Sequence, residues 1–102
     1  MGLQIDHYPD QGQIKLAGKF SSGYAFLFSS AYRRTLPDYV SKPLTIHLGD
    51  VDHVDTSALG ALLLLHQDAA EQDTQIYLKG CKPTVRELLS IADFSKLFSF
   101  VD

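Results

Sequence analysis

The run Ala58-Leu-Gly-Ala-Leu-Leu-Leu-Leu65 constrains this chain more than any other segment. Eight mostly apolar residues fall far short of the ~20 needed to cross a bilayer, so protein has to cover the run instead. Extended through His66-Gln-Asp-Ala-Ala-Glu71, it predicts a helix with small and apolar residues over more than half its girth, and such a helix must be substantially buried. The flanks supply material to bury it: residues 44–48 and 74–78 are short runs that read as strands of a mixed sheet. With 102 residues there is room for one core and one domain, expected over residues 1–102.

The rest of the chain fits around that unit. Leu3, Ile5 and His7 alternate with polar residues, residues 10–12 carry turn chemistry, and Ile14 and Leu16 resume the alternation across residues 13–17. This predicts an opening hairpin that ends at Gly18. Residues 24–36 place Phe28, Ala31 and Tyr32 on one helical face, and Pro37 stops that helix. Tyr24, Phe26 and Leu27 widen its apolar arc beyond the ~100° stripe of a single core face. A neighbouring loop is expected to cover the excess; a partner surface or homodimer contact at Tyr24 or Phe26 is the other outcome. Residues 84–91, after Pro83, predict a third helix, and residues 97–101 a short last strand or turn. The order implies an α/β fold, a mixed β-sheet with helices packed against it.

Charge and cysteine content narrow the function. A formal net charge of -3 offers no basic footprint for nucleic acid, whose affinity rests on Lys and Arg neutralising phosphates. The single Cys81 forms neither an internal disulfide nor a zinc cluster, and reads as a small, partly buried hydrophobe in a reducing cytoplasm. The N-terminus carries Asp6 and Asp10 and no basic-then-apolar leader, so export and membrane insertion are not expected.

The informative segment is Gly49-Asp-Val-Asp-His-Val-Asp-Thr-Ser-Ala-Leu-Gly60, read as the end of a buried strand, a short polar turn and the start of a helix. A hydroxyl there is exposed and close to the first backbone N–H groups of the helix, which lack intrahelical partners and sit at the positive end of its dipole. Such a place accommodates an added phosphate without refolding. Asp50, Asp52 and Asp55 make the turn acidic, so a phosphate of about -1.5 to -2 charges would repel them and would be costly to desolvate at a fitted interface. A penalty of ~3 kcal/mol weakens binding roughly a hundredfold.

At these residues the chain resembles the STAS family, specifically bacterial anti-sigma-factor antagonists, whose motif is a strand followed by Asp-Ser/Thr-Ser-Gly-Leu-Gly at the start of the second helix. Here it reads Asp55-Thr-Ser-Ala-Leu-Gly60, and the hairpin to Gly18, the strand at 44–48, Pro83-Thr-Val-Arg-Glu-Leu-Leu89 and Phe94-Ser-Lys-Leu-Phe98 agree with the family's order. The resemblance implies a single STAS-like domain, no cofactor and no catalytic role. It implies phosphorylation on Thr56, with Ser57 second, and a partner surface of Asp50, Asp52, His53, Asp55, Thr56, Ser57, Ala58 and Leu59 together with the exposed side of the second helix. An anti-sigma factor or related kinase-fold regulator would bind the unmodified form and phosphorylate it with its own ATP, and a PP2C-type phosphatase would restore it. Two positions depart from the pattern. Gly18-Lys-Phe-Ser21 stands where many relatives have Gly-Glu-Leu-Asp, implying slower phosphorylation or a divergent kinase, and Ala58 replaces the common Gly. The alternative within the same fold is the small constitutive STAS subunit of bacterial lipid-transport ABC complexes, which Val54-Asp-Thr56 and residues 62–66 also resemble.

Other functions are weighed against this one. Asp55 and Ser57 are good helix caps, so capping alone would explain the triplet. His47, Asp50, Asp52, His53 and Asp55 are plausible metal ligands, yet the calcium-loop pattern fails because Ala61 stands where its closing acid belongs. There is no Gly-x-Ser-x-Gly elbow and no Gly-rich phosphate loop, and no histidine has an evident nucleophile; His7 and His47 read as strand-surface residues and His66 as a partly exposed helix residue.

Overall fold

The computed structural model describes residues 2–21 and 23–102. Its strands are β1 (Leu3–Tyr8), β2 (Gln13–Phe20), β3 (Leu44–Val54), β4 (Ile76–Lys79) and β5 (Ser99–Val101), and its helices are α1 (Ala25–Thr35), α2 (Thr56–Ala70) and α3 (Pro83–Ile91). The strands form one sheet in the order β1-β2-β3-β4-β5. β1 runs antiparallel to β2, and every later pair is parallel. Each parallel step moves one strand in the same direction through a helix. Because such crossovers are right-handed, α1, α2 and α3 all fall on one face.

The burial pattern follows from that one-sided cover. Leu44, Ile46 and Leu48 of β3 and Ile76 and Leu78 of β4 are buried, while Thr45, His47, Tyr77 and Lys79 between them are only partly covered. Ile14, Leu16 and Phe20 continue the buried face on β2. The helices answer with Phe28 and Tyr32 from α1, Ala58, Ala61, Leu62, Leu65 and Ala69 from α2, and Val85 and Leu89 from α3. Phe28 stacks between Phe20 and Tyr32, with ring centroids 5.2 Å and 5.5 Å away. Tyr32 Oη donates to Asp68 Oδ2 at 2.8 Å and so ties α1 to α2; burial and that carboxylate push the phenol up to about 12.

Several expectations are refined. The hairpin does not end at Gly18: β2 continues to Phe20, and Gly18 sits within it at φ +97, where a Cβ would lie 2.3 Å from Gly2 O. Only glycine allows β1 and β2 to approach so closely there. Pro37 ends the α-helical hydrogen bonding as expected, and the chain continues in a 3-10 turn, Leu36–Tyr39. The last strand forms, with Phe100 beside Leu78. Among the described residues no loop covers the outer side of α1: Phe26 is 63% exposed, and Tyr24 and Leu27 are exposed too. Cys81 is half-buried, and burial pushes its thiol up. Among the described residues no helix is long and apolar enough to cross a membrane.

Candidate functional site

The segment expected to be a polar turn is strand. β3 runs without interruption to Val54, paired to β2 as far as Val54 with Phe20. Two register shifts make this possible, between Lys15/Ala17 and Gly18/Lys19 of β2, and at each β3 carries one more residue than its neighbour. Such bulges re-phase the side chains. Leu48, Val51 and Val54, three apart, all turn inward, and Gly49, Asp50, Asp52 and His53 are left exposed. β4 stops opposite His47, so the second half of β3 has a neighbour on one side only. The polar residues are thus held outward by a bulged strand.

α2 begins directly after this strand. Asp55 is extended, at φ -130 and ψ -171, and caps the helix by accepting from the Ala58 N–H at 3.1 Å; the Leu59 N–H closes the first backbone turn on Asp55 O at 3.1 Å. Thr56 and Ser57 are the first two helical residues. Both are exposed, and neither hydroxyl is hydrogen-bonded to a described residue. The capping reading is therefore met by Asp55, which leaves the hydroxyls of Thr56 and Ser57 unused by the fold. Ala58 is fully buried and Leu59 packs against the core, so Ala58 is removed from the expected partner surface: its methyl faces inward, one third of a turn from Ser57.

Of the acidic residues, Asp52 is paired. The Lys82 ammonium, on the residue preceding α3, donates to its carboxylate and holds it below the usual carboxylate range. Asp50 and His53 stay exposed, with Lys19 beside His53 in the β2 register. His47 lies apart from this group on the uncovered sheet face, with Nε2 2.8 Å from Gln13 Oε1; burial, then Lys79 and Lys15, lower its pKa. Among the described residues no three His, Cys, Asp or Glu side chains are placed to hold a metal ion. His66 is half-buried, its ring edge-on to Phe98 at 5.7 Å.

The exposed side of α2, expected as part of the partner surface, is apolar. Gly60, Leu63, Leu64 and Gln67 run along the outside of α2 from Thr56 and Ser57, with Leu63 40% and Leu64 43% exposed. A Cβ on Gly60 would meet nothing within 4 Å. The signal was present: four consecutive leucines cannot all face one core when each residue turns by a hundred degrees. The site is thus an exposed pair of hydroxyls at a helix N-terminus, bordered on one side by a bulged acidic strand and on the other by an apolar stripe.

Comparison with known proteins agrees with this architecture. The model of the STAS domain family matches residues 3–102. A STAS-domain containing protein of Pseudomonas aeruginosa (strain UCBPP-PA14) is 36% identical over 85 residues, 83% of this chain and 82% of that protein. A solved structure from Thermotoga maritima, described as that of an anti-sigma factor antagonist, superposes with a TM-score of 0.80 at 16% identity, covering 98% of this chain and 86% of the other. The anti-sigma factor antagonist SpoIIAA in its unphosphorylated form gives a TM-score of 0.73 at 11% identity, covering 99% and 88%. At such identities the structures share the fold. With the family match spanning nearly every residue, this chain belongs to the STAS domain family.

Proposed function

We propose that this protein is an anti-sigma-factor antagonist that works as a phosphorylation-controlled switch, with Thr56 as acceptor. The observation that carries the reading is the Thr56 hydroxyl: exposed, unbonded to any described residue, and at the first position of a helix already capped by Asp55. That a solved neighbour is an anti-sigma factor antagonist in its unphosphorylated form supports the same reading.

In the unmodified state, a kinase-fold anti-sigma factor or a related regulator docks on Asp50, His53, Thr56, Ser57 and the Gly60-Leu63-Leu64 stripe, and the sigma factor or other target is freed. The partner brings the ATP; this chain brings the hydroxyl. Phosphate on Thr56 sits at the positive end of α2 and is tolerated there. Against the partner it adds charge beside Asp50 and Asp55 and has to be stripped of water, so binding is lost while the domain stays folded. A PP2C-type phosphatase resets the switch in the cytoplasm. Lys82, by neutralising Asp52, moderates the repulsion on the strand side.

The test is intact and peptide mass spectrometry on protein from its native cells. A phosphate on Thr56, absent in Thr56→Ala and accompanied by partner release, is the expected result. Persistent absence across growth conditions, with a constantly bound ATPase, overturns the switch and assigns a constitutive subunit. Phosphate on Ser57 alone overturns the choice of acceptor.

A further inference from the structure

β1 is the outer strand of the sheet and pairs on one side only. The Lys19 N–H donates to Gly2 O at 3.0 Å, which makes Gly2 and Lys19 a hydrogen-bonded pair of the antiparallel ladder. In steps of two, Gln4, Asp6 and Tyr8 then turn their backbone groups toward β2, and Leu3, Ile5 and His7 turn theirs to the free edge. Among the described residues, these three make no backbone hydrogen bond outside the ladder.

Their side chains point to the helical face, since Ile5 and His7 lie opposite the buried Leu16 and Ile14. There they form one wall of a groove of about 730 Å³, and Leu27, Ala31 and Arg34 of α1 form the other. A smaller hollow of about 340 Å³ shares Leu3 and Leu27 and extends toward Tyr24. The middle of the groove is apolar and one end is basic. Thr35 Oγ1 donates to Ala31 O at 3.0 Å, so His7 Nε2 donates to Thr35 Oγ1 at 3.1 Å and is held at that end. Arg34 beside it is exposed and forms no ion pair with a described residue.

We propose that the free edge of β1 and the groove beside α1 dock an extended segment of a partner protein as a sixth strand, with alternate apolar side chains in the groove and a carboxylate on Arg34. Strand addition matches the geometry because the same three residues supply both the unpaired backbone groups and the pocket wall. Charge selects the occupant. α1 carries Arg33 and Arg34 and no acidic residue. A second copy joined edge to edge about a twofold axis would set two such helices side by side with no carboxylate between them, whereas an acidic segment meets the unpaired guanidinium. This surface is separate from the Thr56 site and does not depend on its phosphorylation.

The test uses the full chain and two fluorescein-labelled peptides, Glu-Thr-Val-Thr-Val-Thr-Val and its reversal, in which the glutamate shares the face of the valines; a strand can add in either direction, and each peptide has a lysine-for-glutamate counterpart. One glutamate peptide should bind in fluorescence anisotropy, and in nitrogen–proton correlation spectra the amides of Leu3, Ile5 and His7 should shift and exchange more slowly. Arg34→Glu should weaken that peptide by about tenfold and strengthen the lysine version, with an unchanged unfolding transition. Three results overturn the proposal: no binding by either glutamate peptide at about 1 mM, a range that detects contacts of ~4 kcal/mol; equal binding of the lysine and glutamate peptides; or a concentration-dependent dimer that protects the β1 amides, which assigns the edge to a second copy.

Discussion

Where β3 begins, polar side chains are used by the fold; where it finishes, they are left to solvent. At the first end Thr74, 6% exposed, donates to Tyr39 O at 2.5 Å and accepts from Gln72 Nε2 at 2.8 Å. Gln72 also donates to Leu36 O at 2.6 Å, and its own carbonyl accepts from the Ser41 N–H at 3.0 Å. These bonds join the loop after α2 to the turn after α1. At the second end Thr56 and Ser57 have the same chemistry and no such partners. A buried hydroxyl must be satisfied, and once satisfied it stabilises the fold; an exposed one is free to react. The contrast also agrees with the tendency of open α/β sheets to place their working residues beyond the carboxyl ends of the parallel strands.

Substitutions at the two ends sharpen this comparison. The largest effect belongs to the closed end: Thr74→Val should cost about 2 kcal/mol in urea unfolding, because Gln72 loses an acceptor in a nearly dry site. A cost equal to that of Thr56→Ala, expected within about 0.5 kcal/mol of zero, would erase the distinction. At the open end, the residue that matters for stability is Asp55. Asp55→Ala should cost about 1 kcal/mol through the lost cap on the Ala58 N–H, and Asp55→Asn should restore most of it.

Next in size is Gly60→Ala, with open space for the new methyl, which should stabilise the domain by about 0.5–1 kcal/mol in thermal or chemical unfolding. If the outer stripe of α2 is a docking surface, the same change should weaken the partner, separating stability from binding at one residue. The smallest effect is a pH dependence away from both ends. Burial and two lysines depress the pKa of His47, so in the window below its unfolded value of about 6.5 the unfolded chain binds more protons. Its contribution is present above that pH and is lost as pH falls through the lower, folded pKa. The stability difference between the wild type and His47→Gln should change in that window; a pH-independent difference would remove His47 from the account.

Much of the fold was legible because its signals are periodic. The alternation of Leu3, Ile5, Ile14 and Leu16 and the helical spacing of Phe28 and Tyr32 each survive in the structure. The failures have a common cause. Gly49 to Val54 reads as a turn because its polar residues break the two-residue period, yet two bulges let Val51 and Val54 reach the core at a three-residue spacing. The second helix reads as substantially buried without showing which of its leucines stay outside, and Phe26 was expected under a loop; Leu63, Leu64 and Phe26 are exposed. In each case the missing information is which distant segment lies alongside.

By itself the sequence determined the local chemistry at the strand-to-helix junction: an aspartate that caps α2 and two hydroxyls directly after it. Capping depends on a backbone N–H three residues away, so the relation is written within a single helical turn. Only the tertiary structure decided which polar residues the core would consume, which leucines would stay outside, and that β1 would keep an unpaired edge beside α1. Those outcomes depend on pairings between strands and helices far apart in the chain, and such pairings are settled when one face of the sheet is covered and the other is not.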